Sequence, residues 1–249
     1  MRRPIMAGNW KMYKTPSETS LFFEKFRPLV ATATHADIVI CPPFVDLPAA
    51  AEATRGTNIE IGAQNLYWAK EGAYTGEISA GMLCAAGCKW VIVAHSERRE
   101  YFGETEETAL KKLCAALDAG LTPIFCLGEK PHEHESNLTH EVLGRQLSGC
   151  VGYLTPEQFR GIVIAYEPVW AIGTGKVATP KIASAAHSFI RNYIHGQFGA
   201  EAADACRILY GGSVKPDNVI GLMAEEQIDG ALVGGASLDP VSFASIVNF

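Results

Sequence analysis

The chain has no Cys-x-x-Cys pair, no stretch of 18 uninterrupted apolar residues and no excess of positive charge. Each absence excludes something. The seven cysteines, Cys41, Cys84, Cys88, Cys114, Cys126, Cys150 and Cys206, are odd in number, and several sit in apolar runs such as VICPPF and IFCLGE. Buried, reduced thiols are the expectation, not a disulfide framework. Lack of a long apolar run removes the spanning helix. A formal net charge of −6 leaves no basic footprint for nucleic acid, so any small anion must be held by local groups. The N-terminal MRRPIMAGNWK has two arginines but no apolar stretch long enough for a signal peptide, so a cytoplasmic location is expected. With 24 glycines and 13 prolines, the composition is also too ordinary for a low-complexity chain.

What is present is 249 residues, 48% of them hydrophobic. That length lies between one ordinary domain and two, but α/β barrels reach about 250 residues as one. Eight short apolar runs recur: PIMAGN (4–9), DIVICPPF (37–44), IEIGAQN (59–65), WVIVAH (90–95), TPIFCLGE (122–129), GIVIAYEP (161–168), RILYGG (207–212) and GALVGG (230–235). Their interiors are apolar on both alternating positions, as in strands of a parallel sheet covered on both faces. Helix-like segments lie between them. One starts at Ser17 and runs to residue 30. A second spans 105–120 with a Thr105 cap. A third spans 179–199, with Thr179 as cap and Pro180 in the first turn. Eight such units predict an α/β fold, a closed (β/α)8 barrel occupying residues 1–249 as a single domain. A doubly wound open sheet competes, but it usually has fewer strands and often a glycine-rich turn after the first. Here that strand ends in GNWKMY.

In such a barrel the C-terminal strand ends carry chemistry. Those ends hold Asn9 and Lys11, then His95, Ser96 and Glu97, then Glu167, then Gly211-Gly212-Ser213 and Gly234-Gly235. Singly, each has a plain structural reading: His95 a satisfied structural histidine, Lys11 a surface lysine, Glu167 a solvated charge. Their shared rim points to chemistry. The two glycine turns let the backbone approach a ligand and offer N–H groups to an anion, where barrels build phosphate sites. Ser96 reads as the cap of a helix after His95. The long segment PVWAIGTGKVATP (168–180) mixes apolar residues with glycines and reads equally as a lid or as an ordinary packed loop. A second long connection, 65–79, carries Leu66, Tyr67, Trp68 and Tyr74. It suits a partner surface, unless it folds back on its own subunit. His132 and His134 lie in a polar stretch with no supporting ligands, so a solvated segment is expected and no metal. Cys84 and Cys88 are expected to share a packed helix face, and Cys126 to lie in the core.

At these residues the chain resembles the triosephosphate isomerase family. GNWKM, AQN…GAYTGEIS, AHSERR, YEPVWAIGTGK, YGGSV and LVGGASL stand in the family's order along essentially the whole sequence. The resemblance implies a TIM barrel and a glycolytic and gluconeogenic isomerase, linked to pentose phosphate metabolism. It would interconvert dihydroxyacetone phosphate and D-glyceraldehyde 3-phosphate through an enediolate, with no cofactor. It further implies Glu167 as general base and His95 as neutral electrophile, and burial of Glu167 under a closed lid is expected to raise its pKa. Lys11 is then the cation in the site, Asn9 a polar neighbour, and Glu97 the carboxylate near Lys11. Gly173, Ser213, Gly234 and Gly235 are the phosphate donors. The implied lid is Pro168, Val169, Trp170, Ala171, Ile172, Gly173, Thr174, Gly175 and Lys176. Thr75 is the residue that reaches into a second copy of a homodimer and braces Asn9, Lys11 and His95 there. Two other classes stay in view: a Schiff-base aldolase using Lys11, and a non-catalytic phosphate-binding protein. Glu167, suited to proton transfer, speaks against the first, and the intact set of four polar residues against the second.

Overall fold

The computed structural model describes residues 2–172 and 178–249. Its eight strands are β1 (Ile5–Asn9), β2 (Asp37–Cys41), β3 (Ile59–Ala63), β4 (Trp90–Val93), β5 (Thr122–Leu127), β6 (Val163–Tyr166), β7 (Ile208–Tyr210) and β8 (Gly230–Val233). Each pairs in parallel with the next, and β8 pairs back onto β1, closing the barrel. Glycine is required at the seam: a Cβ on Gly230, at φ 137°, would lie 2.0 Å from the Ile5 carbonyl oxygen.

Helices fill the returns. They are α1 (Pro16–Val30), α2 (Leu47–Thr54), α3 (Ala80–Ala85), α4 (Ser96–Tyr101), α5 (Glu106–Asp118) and α6 (Pro131–Glu135). Then come α7 (Thr139–Gly149), α8 (Pro156–Phe159), α9 (Pro180–Phe198), α10 (Ala200–Ala205), α11 (Val219–Met223) and α12 (Pro240–Val247). The caps at Thr105 and Thr179 form as the sequence indicates. α1 starts one residue earlier than expected, because the Glu18 carboxylate accepts the Thr15 backbone N–H at 2.9 Å and Pro16 sits in the first turn.

The strands separate two apolar shells. Ile5 and Ala7, Ile124 and Cys126, Val163 and Ala165, Leu209 and Leu232 fill the barrel interior. Met6, Ile38, Ile164, Tyr166 and Val233 pack outward with helix residues such as Phe23, Leu113 and Ile190. This period of two positions the site. Extending it past the inward residues places Asn9, Glu167, Gly211 and Gly234 at the C-terminal mouth. At the other end Glu60 takes the Trp90 indole N–H (2.7 Å) and the Lys89 ammonium (2.6 Å).

Candidate active site

The mouth encloses a cavity of about 290 Å³ lined by Asn9, Lys11, His95, Glu167, Ser213, Gly234 and Gly235, with Ile172 at its edge. The sequence-marked residues Asn9, Lys11, His95, Glu167, Ser213, Gly234 and Gly235 therefore converge, and Glu97 joins them through Lys11.

Glu167 is 1% exposed. One carboxylate oxygen lies 2.8 Å from His95 Nε2, and the other accepts the Ser96 backbone N–H at 2.9 Å. Burial alone would raise its pKa. The His95 ring, the Ser96 N–H and the Lys11 charge outweigh that, and the pKa is lowered. In this arrangement the carboxylate is occupied by donors; the rise expected under a closed lid concerns a state that involves residues outside those described. Gly211 leaves room for it, since a Cβ there would come 2.8 Å from Glu167 Cγ.

His95 itself, and not Ser96, caps α4: its Nδ1 accepts the Glu97 backbone N–H at 3.2 Å. A ring nitrogen that accepts carries no proton, so the neutral ring has its proton on Nε2, facing Glu167. Burial, the largest single effect, disfavours the imidazolium, but the Glu167 and Glu97 carboxylates together outweigh it, and the His95 pKa is raised.

Lys11 stands at φ 55°, a left-handed position unusual for a lysine. Its backbone N–H donates to Asn9 Oδ1 (3.0 Å), and its carbonyl accepts from Gln64 Nε2 (2.8 Å), which also bonds the Cys41 carbonyl. The ammonium pairs with Glu97 Oε1 at 2.5 Å. An ion-paired ammonium is a poor Schiff-base nucleophile, which disfavours the aldolase reading. Gln64 is a residue that sequence reasoning missed; it lies 53 positions from Lys11, and no local signal joins them.

Of the lid segment, Pro168 to Ile172 are described. Gly173, Thr174, Gly175 and Lys176 lie outside the described residues. Val169–Ala171 forms a 3₁₀ turn. Trp170 is buried there, its indole N–H on Glu129 at 2.8 Å, and Tyr166 shares the same carboxylate oxygen at 3.0 Å.

Two expectations are corrected here. His134 is not simply solvated: its ring stacks on Trp170, 4.1 Å between centroids. Cys84 and Cys88 do not share a packed face, since Cys84 is exposed and Cys88 is buried beyond the end of α3. In the 65–79 connection the four large apolar residues differ in burial. Leu66 is buried, and Tyr67 stacks on Trp68, leaving Tyr74 as the exposed one of the four. Thr75 is exposed beside it. Among the described residues, no group of three His, Cys, Asp or Glu could hold a metal ion, and no helix is long and apolar enough to cross a membrane.

A closed parallel barrel whose mouth sets a buried carboxylate against an imidazole, beside an ammonium and glycine turns, defines a (β/α)8 enzyme of the acid–base class. The chain belongs to the triosephosphate isomerase family, whose model matches residues 4–249. It is 64% identical over 249 residues to the triosephosphate isomerase of Solibacter usitatus (strain Ellin6076), covering all of both chains. It is 55% identical to those of Geotalea uraniireducens (strain Rf4) and Moorella thermoacetica (strain ATCC 39073 / JCM 9320), again over the whole chain and 99% of each relative.

Proposed function

We propose that this chain interconverts dihydroxyacetone phosphate and D-glyceraldehyde 3-phosphate, with Glu167 moving the proton between adjacent carbons. The observation that carries this reading is the pair of Glu167 and His95, 2.8 Å apart in one small cavity with Lys11 and the glycine turns. A single carboxylate serves both transfers because the two carbons are neighbours. To act, Glu167 exchanges the Ser96 and His95 N–H groups for the substrate carbon, which also removes the donors that lower its pKa. His95 Nε2–H is then free to donate to the developing enediolate oxygen.

Lys11, oriented by Asn9 and held against Glu97, supplies positive charge to an anionic substrate in a chain of net charge −6. The backbone N–H groups of Ser213, Gly234 and Gly235, with Gly173, receive the phosphate. The segment from Pro168 to Lys176 closes over the intermediate and excludes water, which restrains loss of phosphate from the enediolate. Residues 1–249 act as one domain without a cofactor, in the cytoplasm. Two copies form a homodimer in which Thr75 braces the neighbouring Asn9, Lys11 and His95; its exposure leaves it free for that contact.

A coupled assay with D-glyceraldehyde 3-phosphate tests the reading. Formation of dihydroxyacetone phosphate supports it. Turnover indistinguishable from the uncatalysed rate removes it.

A further inference from the structure

Strand parity would turn His95 away from the site. In β4, Trp90 and Ile92 belong to the barrel interior, while Val91 and Val93 belong to the outer shell. Continued regularly, Ala94 would face inward and His95 would face the helices. Instead Ala94 takes φ 59° and packs in the outer shell, and His95 lines the catalytic cavity. One left-handed residue inverts the alternation at the position where the site needs it.

A non-glycine residue holds such a conformation only where its surroundings impose it. Here they include Arg99, one turn along α4 from His95. Its Nε donates to the Ala94 carbonyl at 3.0 Å. The same guanidinium donates to the Cys126 carbonyl in β5 (3.4 Å) and to the Glu106 carboxylate (3.2 Å), with the side chain 12% exposed. The residue after Cys126, Leu127, accepts the Glu167 backbone N–H at 2.8 Å. The guanidinium therefore ties the turn before His95 to the strand that pins the backbone of Glu167.

We propose that Arg99 is a positioning residue for the isomerisation: its fork holds Ala94 in the left-handed conformation that turns His95 toward Glu167 and the substrate. It touches neither substrate nor reacting atoms. The proposal rests on the roles given above to His95 and Glu167. Lysine is no substitute, because a single ammonium does not reproduce a planar fork aimed at two carbonyls and a carboxylate.

The experiment compares Arg99→Lys and Arg99→Ala with the parent chain and with His95→Gln in the isomerisation assay. Binding of inorganic phosphate is measured alongside. A misplacement of about 1 Å can cost ~10²-fold in rate, so kcat is expected to fall at least ~10-fold in both Arg99 variants. KM and phosphate affinity should stay within about twofold, because Lys11 and the glycine turns keep their own contacts. Guanidinium ion added at millimolar concentration should restore part of the kcat of Arg99→Ala and none of that of His95→Gln. Ala94→Gly placed in the Arg99→Lys background should also recover activity, since glycine adopts positive φ without the penalty.

Wild-type kcat in Arg99→Lys overturns the proposal. So does a loss of kcat that neither guanidinium nor Ala94→Gly relieves. If Arg99→Ala does not fold, Arg99→Lys, which keeps a charge beside Glu106, decides alone. Near-normal turnover of His95→Gln would instead remove the underlying reading of the site, so the two failures are told apart.

Discussion

The Glu97 backbone N–H donates to His95 Nδ1 at 3.2 Å, so the first turn of α4 is capped by the ring that faces the substrate cavity. That bond places the proton of the neutral ring on Nε2. The Glu167 carboxylate raises the His95 pKa against the opposing effect of burial. A second proton can bind only at Nδ1, where it must displace the Glu97 N–H, so the neutral ring with its proton on Nε2 persists until that cap gives way as pH falls. In Glu167→Gln the larger raising charge is gone and only Glu97 opposes burial, so the titration should move downward. Nitrogen NMR of labelled histidine checks this; an unchanged titration in the variant would contradict the coupling.

Gly211 gives a steric test of the same pair. A Cβ there would lie 2.8 Å from Glu167 Cγ and 3.1 Å from the Tyr166 carbonyl oxygen. Gly211→Ala should displace Glu167 and lower kcat by ~10-fold or more, at a stability cost of roughly 1–3 kcal/mol for overpacking. Steady-state kinetics and urea unfolding measure both. A fully active variant would show that the close approach is not needed.

The strands were readable because their residues are apolar on both faces, and the same alternation carries Asn9, Glu167, Gly211 and Gly234 to the mouth. His95 was legible by its type and its place at a strand end, but not by parity, which points it the wrong way. Only the left-handed Ala94 corrects that, and nothing local in AHSERR marks it. Gln64 and Glu129 were equally hidden, because their partners, Lys11 and Trp170, lie 53 and 41 residues away. The burial of Leu66 and the stacking of His134 on Trp170 are likewise tertiary events. A polar stretch or an aromatic loop does not declare its neighbours.

His187 is fully buried in α9, with Nδ1 at 3.1 Å from the Gln227 carbonyl, and burial pushes its pKa down to about 3. In the unfolded chain histidine protonates near pH ~6.5. Between those values the unfolded state binds the extra proton, so the contribution of His187 is whole above the unfolded value and is lost as pH falls toward 3. Urea midpoints from pH 7 to pH 4 should decline less steeply in His187→Gln than in the parent. Equal slopes would contradict this assignment.

Thr75 tests the proposed homodimer. Thr75→Glu puts a charge where the loop is to enter a second copy, and should loosen association and depress activity together. Sedimentation and specific activity against protein concentration check it. A fully active monomer would contradict the bracing role.

Glu167→Gln, assayed for turnover and for binding of inorganic phosphate on the same preparation, reaches the central claim most directly. The expected result is a kcat lower by at least ~10²-fold, the scale of general-base catalysis, with phosphate affinity largely kept. Near-normal turnover would show that Glu167 does not carry the proton.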